Sequence, residues 1–206
     1  MPDPEHPAGV LESVYFDTPD FRSHAEKTDG GATKRKIRIR WYPDSPVAAD
    51  GTRTAFLEVK DRIGSARDKA RFVFRHDAGF LENARLEDPE WIAVLEGALR
   101  AASFAFSAAP YVPSAAIRYE RARFVCPATQ SRLSVDSRIR CTRANAASVP
   151  LAGPMACPVV VVEAKSSVAR SWPFGDALQR LGFRLSGFSK YGYFMDRLRA
   201  GAFPEA

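Results

Sequence analysis

The sequence predicts an α+β protein, one mainly antiparallel sheet or barrel with helices packed outside it, and three observations carry that reading. Strand-like alternation recurs along most of the chain, whereas helical periodicity is confined to a few short stretches. No run of residues is both long and linker-like enough to separate two cores, so residues 1–206 read as a single domain. The third observation is an inversion of composition. Four segments, Lys36-Ile37-Arg38-Ile39-Arg40-Trp41, Phe56-Leu57-Glu58-Val59-Lys60, Arg132-Leu133-Ser134-Val135-Asp136 and Val161-Val162-Glu163-Ala164-Lys165, alternate charged or polar residues with aliphatic or aromatic ones. Residues two apart in a strand share a face, so each segment carries one charged row and one apolar row. For a single strand the charged row simply faces water. Repetition favours a second arrangement, a closed barrel with the charged rows in a wet lumen and the apolar rows under helices at Trp91 and Leu178. Crowded cations repel one another until anions compensate them, so such a lumen suits a polyanion, with phosphate the obvious candidate.

Ser13 to Asp17 reads as the first strand, closed by the turn formers Asp17, Thr18, Pro19 and Asp20. A strand from Lys34 to Trp41 follows the Gly30-Gly31 breaker, and a loop over Pro43 to Arg53 leads to a strand from Thr54 to Lys60. Gly64-Ser65 predicts a turn into the alternating stretch Lys69 to Phe74. The clearest helix starts at Asp88-Pro89, with Asp as N-cap, Pro at the first helical position, and Trp91, Ile92, Leu95 and Leu99 on its apolar face. Strands over Ala116 to Val125 and Ser131 to Ile139 come next, then a loose segment from Asn145 to Pro158 and a strand from Val159 to Lys165. A short helix over Phe174 to Leu181 ends at Gly182, a good C-cap residue, and the last helix spans Tyr191 to Arg199.

The hydrophobic fraction of 46% supports a real core, and the formal charge of +6 points to acidic partners. Cys126, Cys141 and Cys157 are odd in number and lack metal-type spacing, so reduced thiols in a cytoplasmic compartment are expected. No apolar run is long enough to span a bilayer, because Pro158 to Val162 soon meets Glu163 and Lys165. The acidic, Pro-rich start, Met1 to His6, is unlike a signal peptide. His6, His24 and His76 stand among turn formers and read as solvated loop residues.

Six motifs occur in one order: Ser13-Val14-Tyr15-Phe16-Asp17-Thr18, the Lys36 to Tyr42 run, Phe56 to Lys60, Lys69-Ala70-Arg71-Phe72, Val161 to Lys165, and Phe188-Ser189-Lys190-Tyr191. Together, from about Ser13 to Tyr193, they resemble the VTC (vacuolar transporter chaperone) domain, the polyphosphate polymerase branch of the triphosphate tunnel metalloenzymes (CYTH-like superfamily). The resemblance implies an antiparallel β-barrel, the triphosphate tunnel, whose polymerase members transfer the ATP γ-phosphate to inorganic polyphosphate with a divalent metal, Mn or Mg. By motif position it implies that Arg38, Arg40 and Lys60 bind the triphosphate. Lys69, Arg121, Arg132 and Lys190 join them in the catalytic set, and Glu163 is the metal ligand. Guanidinium suits phosphate because its planar, permanently charged fork binds two oxygens at once. No protein nucleophile is required, since phosphoryl transfer depends mainly on alignment and charge neutralisation.

The resemblance leads one to expect an opening strand with a Glu-x-Lys motif and then a helix ahead of the Tyr15 strand, and neither is read in this sequence. They are expected either to be encoded upstream of Met1 or to be lost from a shortened domain, whose barrel would then have an open edge. By the resemblance, Gly187 stands three residues before Lys190, where polymerase members can carry another lysine. Hydrolysis of a triphosphate, or a catalytically incompetent module that binds polyphosphate or nucleotide, are the alternatives to polymerisation. Nucleic acid is not an expected partner, because the cations alternate with aliphatic residues rather than stacking aromatics. Alternation alone would also put Arg123, Arg138 and Arg140 on this face, but they lack an equally firm motif match and are not counted in the site. Lys165 shares the face of Glu163, and Glu58 and Glu163 can each pair at the surface with the lysine two residues on.

Overall fold

A computed structural model describes residues 1–5, 8–28, 33–64, 66–103, 110–165 and 175–200. The strands are β1 (Gly9–Asp17), β2 (Thr33–Trp41), β3 (Thr52–Ile63), β4 (Ala66–Asp77), β5 (Val112–Val125), β6 (Arg132–Ala144), β7 (Met155–Ala156) and β8 (Val161–Lys165). The helices are α1 (Arg22–Thr28), α2 (Ala78–Asn83), α3 (Glu90–Ala101), α4 (Gly175–Arg180) and α5 (Lys190–Ala200). The expected Gly30-Gly31 breaker, Ser65 and Phe174 lie outside the described residues.

All pairings are antiparallel, in the order β4-β3-β2-β1-β5-β6, with β7 and β8 both pairing to β6. The expected α+β class holds, but the sheet does not close: among the described residues β4 and β8 pair with nothing on their outer sides. Residues of β4 and β8 nevertheless line one cavity, so the sheet curls until its two edges face each other.

Each face of the curled sheet carries its own core. On the outer face Ile37, Ile39 and Trp41 of β2 and Leu57 and Val59 of β3 pack with Phe16 against Leu81, Trp91, Leu95 and Leu99 of α2 and α3. Trp41 and Trp91 stack with ring centroids 6.4 Å apart, and both are fully buried. Burying an aromatic side chain contributes roughly 1.5–3 kcal/mol, which makes this pair a main anchor of α3. Ile92 is exposed instead, and Ala98 takes its place on the buried face, since 91, 95 and 98 follow the helical period. Pro89 sits at the N-cap of α3, one residue later than expected, while the Asp88 carboxylate still accepts the Glu90 amide at 2.9 Å.

On the inner face Leu11, Tyr15, Ile117, Tyr119, Ile139 and Cys141 pack against Tyr191, Phe194, Met195 and Leu198 of α5. This corrects two expectations. One helix packs inside the curl rather than outside it, and the helix at Leu178 covers nothing, because α4 buries none of its residues. The physical reason is the sided composition of α5, whose large apolar residues fill half of the inner face and leave the charged half wet.

Two short helices went unpredicted although their caps are written in the sequence. The Asp17 carboxylate accepts the Ser23 and His24 amides at 2.8 and 3.1 Å, and the Thr18 hydroxyl accepts the Arg22 amide at 2.9 Å, so the expected turn starts α1. Asp77 accepts the Phe80 amide and starts α2. These helices also overturn the solvated-loop reading of two histidines. His24 is buried in α1 with Nε2 3.0 Å from an Asp196 carboxylate oxygen, and His76 stacks on Phe80 at 5.0 Å. His6 lies outside the described residues.

Candidate functional site: a cationic cavity inside the curled sheet

The wet half of the inner face is a cavity of about 430 Å3. Strand β2 supplies Lys36, Arg38 and Arg40 from the charged row opposite Ile37, Ile39 and Trp41. Its neighbours in register supply Glu58 and Lys60 on β3, then Lys69 and Arg71 on β4. The other wall carries Arg121 and Arg123 on β5, Arg132 on β6, and Glu163 and Lys165 on β8. Lys190, the first residue of α5, and Ser189 before it close the inner end. All eight residues singled out in the sequence therefore line one cavity: Arg38, Arg40, Lys60, Lys69, Arg121, Arg132, Glu163 and Lys190. The inverted alternation has the predicted cause, charged rows inside and apolar rows under a helix.

Eleven Lys and Arg side chains face this space against two glutamates on its lining. Glu58, read in the sequence as a surface partner of Lys60, is instead buried at 4% exposure and pairs with arginines on the neighbouring strands. Its carboxylate accepts Arg38 Nε at 2.7 Å, forms an ion pair with Arg38 Nη2, and lies 3.6 Å from Arg40 Nη1 and 3.7 Å from Arg71 Nε. Burial pushes the Glu58 carboxyl up, but Arg38 and Arg40 outweigh it and hold the pKa down at about 2. Arg38 Nη1 donates to Tyr15 Oη at 3.0 Å, and Arg40 donates from Nε to Ser13 Oγ at 3.1 Å and from Nη2 to Tyr119 Oη at 2.9 Å. The paired arginines are thus fixed before any ligand arrives. The Tyr15 phenol stacks on Tyr191 at 5.1 Å. Burial raises its pKa, yet Arg38, Arg40 and Lys190 bring it below the usual phenol value.

A second buried carboxylate, Asp136, lies under the opposite wall with 0% exposure. It accepts Arg121 Nε and Nη2 at 2.6 and 2.8 Å and Lys190 Nζ at 2.5 Å. Glu163 differs from both, with its side chain 46% exposed, 3.4 Å from Lys165 Nζ and 3.7 Å from Arg121 Nη2. Burial works against its charge, and Lys165 and Arg121 reverse that, so its pKa lies below the ordinary value. Lys60 is lowered, first by burial and then by repulsion from Arg38.

Among the described residues no group of three or more His, Cys, Asp or Glu is arranged to hold a metal ion. Mg and Mn nevertheless often take one or two carboxylates and complete their shell with water and substrate phosphates. Glu58 and Asp136 are each committed to several cations, which leaves half-exposed Glu163 as the carboxylate whose chemistry fits such an ion.

Arg138 and Arg140 do not reach the cavity. The ladder between β5 and β6 slips between Arg118 and Glu120, and Arg138 adopts φ 49°, so the alternation changes phase. Arg132, Ser134 and Asp136 face inward before the bulge, and Ile139 and Cys141 face inward after it. Arg138 is exposed and pairs with Glu120 at 3.0 Å. Lys36, Arg71 and Asp136 were not singled out in the sequence as site residues. Lys36 and Arg71 stand in the same alternating rows as Arg38 and Lys69, which is the signal that finds them.

The VTC domain profile matches residues 4–198, nearly the whole chain. The chain belongs to the VTC domain family. Among solved structures it is similar to a Bacillus halodurans protein provisionally described as an adenylate cyclase, at TM-score 0.51 and 15% identity, covering 91% of this chain and 82% of the other. That likeness shows that the two proteins share a fold. No curated protein sequence matches the chain. No helix among the described residues is long and apolar enough to cross a membrane.

Proposed function

We propose that this VTC domain binds a triphosphate or inorganic polyphosphate chain in the cationic cavity and, with Mg or Mn, transfers a phosphoryl group from ATP to polyphosphate. The observation that carries the reading is the charge balance, eleven cations against two glutamates around one cavity, with Arg38 and Arg40 already fixed. A ligand with several contiguous negative charges answers that excess, and a nucleoside triphosphate or polyphosphate has them. The solved neighbour's description as a cyclase belongs to the same ligand class.

In this reading Arg38, Arg40 and Lys60 grip the triphosphate, and Arg121 and Lys190 face it from the other wall. Lys69, exposed on the edge strand β4, and Arg132, exposed at the start of β6, guide the rest of the chain. Glu163 would hold the metal ion, which supplies further neutralisation of phosphate oxygens when bound. The protein's part is alignment, and the rate gain comes from fixed charge placed where phosphate charge builds up.

Purified protein incubated with ATP, Mg or Mn and a short polyphosphate primer is expected to lengthen the primer and release ADP. A protein that binds tripolyphosphate but turns over no ATP with either metal would sink the transferase reading. The gap between β4 and β8 favours a second reading, because water enters an unclosed cavity. In it the domain hydrolyses a triphosphate, or binds polyphosphate or nucleotide without turnover. Phosphate release without primer growth is the hydrolase outcome.

A further inference from the structure

We infer that Asp136 is a positioning residue that holds Arg121 and Lys190 at the phosphate. This rests on the phosphate-binding reading of the cavity and assigns one of its working parts. Asp136 stands opposite Arg121 in the β5–β6 register and is fully buried beneath the cavity wall. Both of its oxygens are used. Oδ1 accepts Arg121 Nε, while Oδ2 accepts Arg121 Nη2 and Lys190 Nζ. Lys190 comes from α5, 54 residues further along the chain, so this carboxylate ties the inner helix to the sheet at the cavity.

The arrangement leaves both cations with donors to spare. Arg carries five N–H donors and Lys three. Asp136 takes two from Arg121 and one from Lys190. The Tyr119 ring completes the seat, 4.7 Å from Lys190 Nζ and 5.4 Å from Arg121 Cζ. Among the described residues no other carboxylate lies within hydrogen-bond distance of either cation, since Glu163 is 3.7 Å from Arg121. Arg38 and Arg40, by contrast, also bond Tyr15, Ser13 and Tyr119. Two long side chains, both held by one shared carboxylate, have already given up their rotamer freedom on folding, so binding the ligand does not cost it again.

The sign of one substitution separates positioning from plain electrostatics. A carboxylate in an anion site repels the ligand, so its neutralisation by Asp136→Asn would tighten binding if charge alone counted. Positioning gives the opposite sign. Tripolyphosphate is titrated calorimetrically into wild type, Asp136→Asn, Lys190→Met and the double variant, with thermal melts confirming the fold. Asp136→Asn is expected to weaken binding about tenfold, roughly the loss of one charge-assisted contact, and to cost less in the Lys190→Met background. Equal or tighter binding by Asp136→Asn, or losses that simply add, would overturn the assignment. Wild type that binds no tripolyphosphate would instead defeat the phosphate reading itself. Should Asp136→Asn fail to fold, nitrogen-15 NMR of the wild type still decides. The Arg121 Nε–H must be protected from exchange before tripolyphosphate is added, and an unprotected signal rejects the proposal.

Discussion

Glu58 sits where three arginines from two strands converge, and its behaviour with pH follows from that contact. Its folded pKa of about 2 lies below the ordinary 4.5. The carboxylate therefore contributes stability that is fully present above pH 4.5 and is lost as the pH falls through 2. Glu58→Gln should melt well below wild type at pH 7, consistent with the roughly 3–5 kcal/mol cost of stranding buried cations. Melting curves from pH 7 down to 2 check this, and the gap between the two proteins should shrink over that range. The neighbouring arginines bear on binding directly. Arg38→Ala combined with Arg40→Ala should weaken tripolyphosphate binding by about a hundredfold, on the order of two charge-assisted bonds. Unchanged affinity in a titration of that variant would remove these residues from the site.

The helices on the two faces of the sheet have different consequences when damaged. Trp91 anchors α3 to the outer face, against the apolar rows and away from the cavity. Trp91→Ala should cost about 3–5 kcal/mol of stability, while tripolyphosphate affinity measured below its melting temperature stays close to wild type. Phe194 is buried in α5, the helix that also carries Lys190. Phe194→Ala should lower both the melting temperature and the affinity, because loosening α5 moves Lys190 away from Asp136. Equal effects of the two substitutions on binding would show that α5 has no part in the site. These elements also show where local sequence signals stop. Asp17 with Thr18, and Asp77, carried the caps of α1 and α2 in plain view, but Asp17 and Thr18 read as turn formers because a cap and a turn use the same residues. The bulge at Arg138 left no such trace, since a non-glycine residue at positive φ has no compositional mark.

Taken as a whole, the molecule gathers its cations on the inside of a curl whose outer face is held by an apolar core. Binding should therefore be strongly salt-dependent. Tripolyphosphate affinity is expected to fall steeply between about 50 and 500 mM salt, and to exceed that for pyrophosphate at either concentration. Calorimetry at several ionic strengths tests this, and salt-independent affinity would contradict a cavity governed by charge. The sequence by itself determined the charged and apolar rows and the order of the strands along the chain, because a period of two is local and fixes which residues share a face, and the motif resemblance picked out the eight residues that meet in the cavity. Tertiary structure alone decided that, among the described residues, the open edges are those of β4 and β8, that α5 lies inside the curl, and that Glu58 and Asp136 serve cations on other elements rather than their own neighbours. Those outcomes depend on cross-strand register and on contacts between residues far apart in the chain, such as Asp136 and Lys190, which no local pattern encodes.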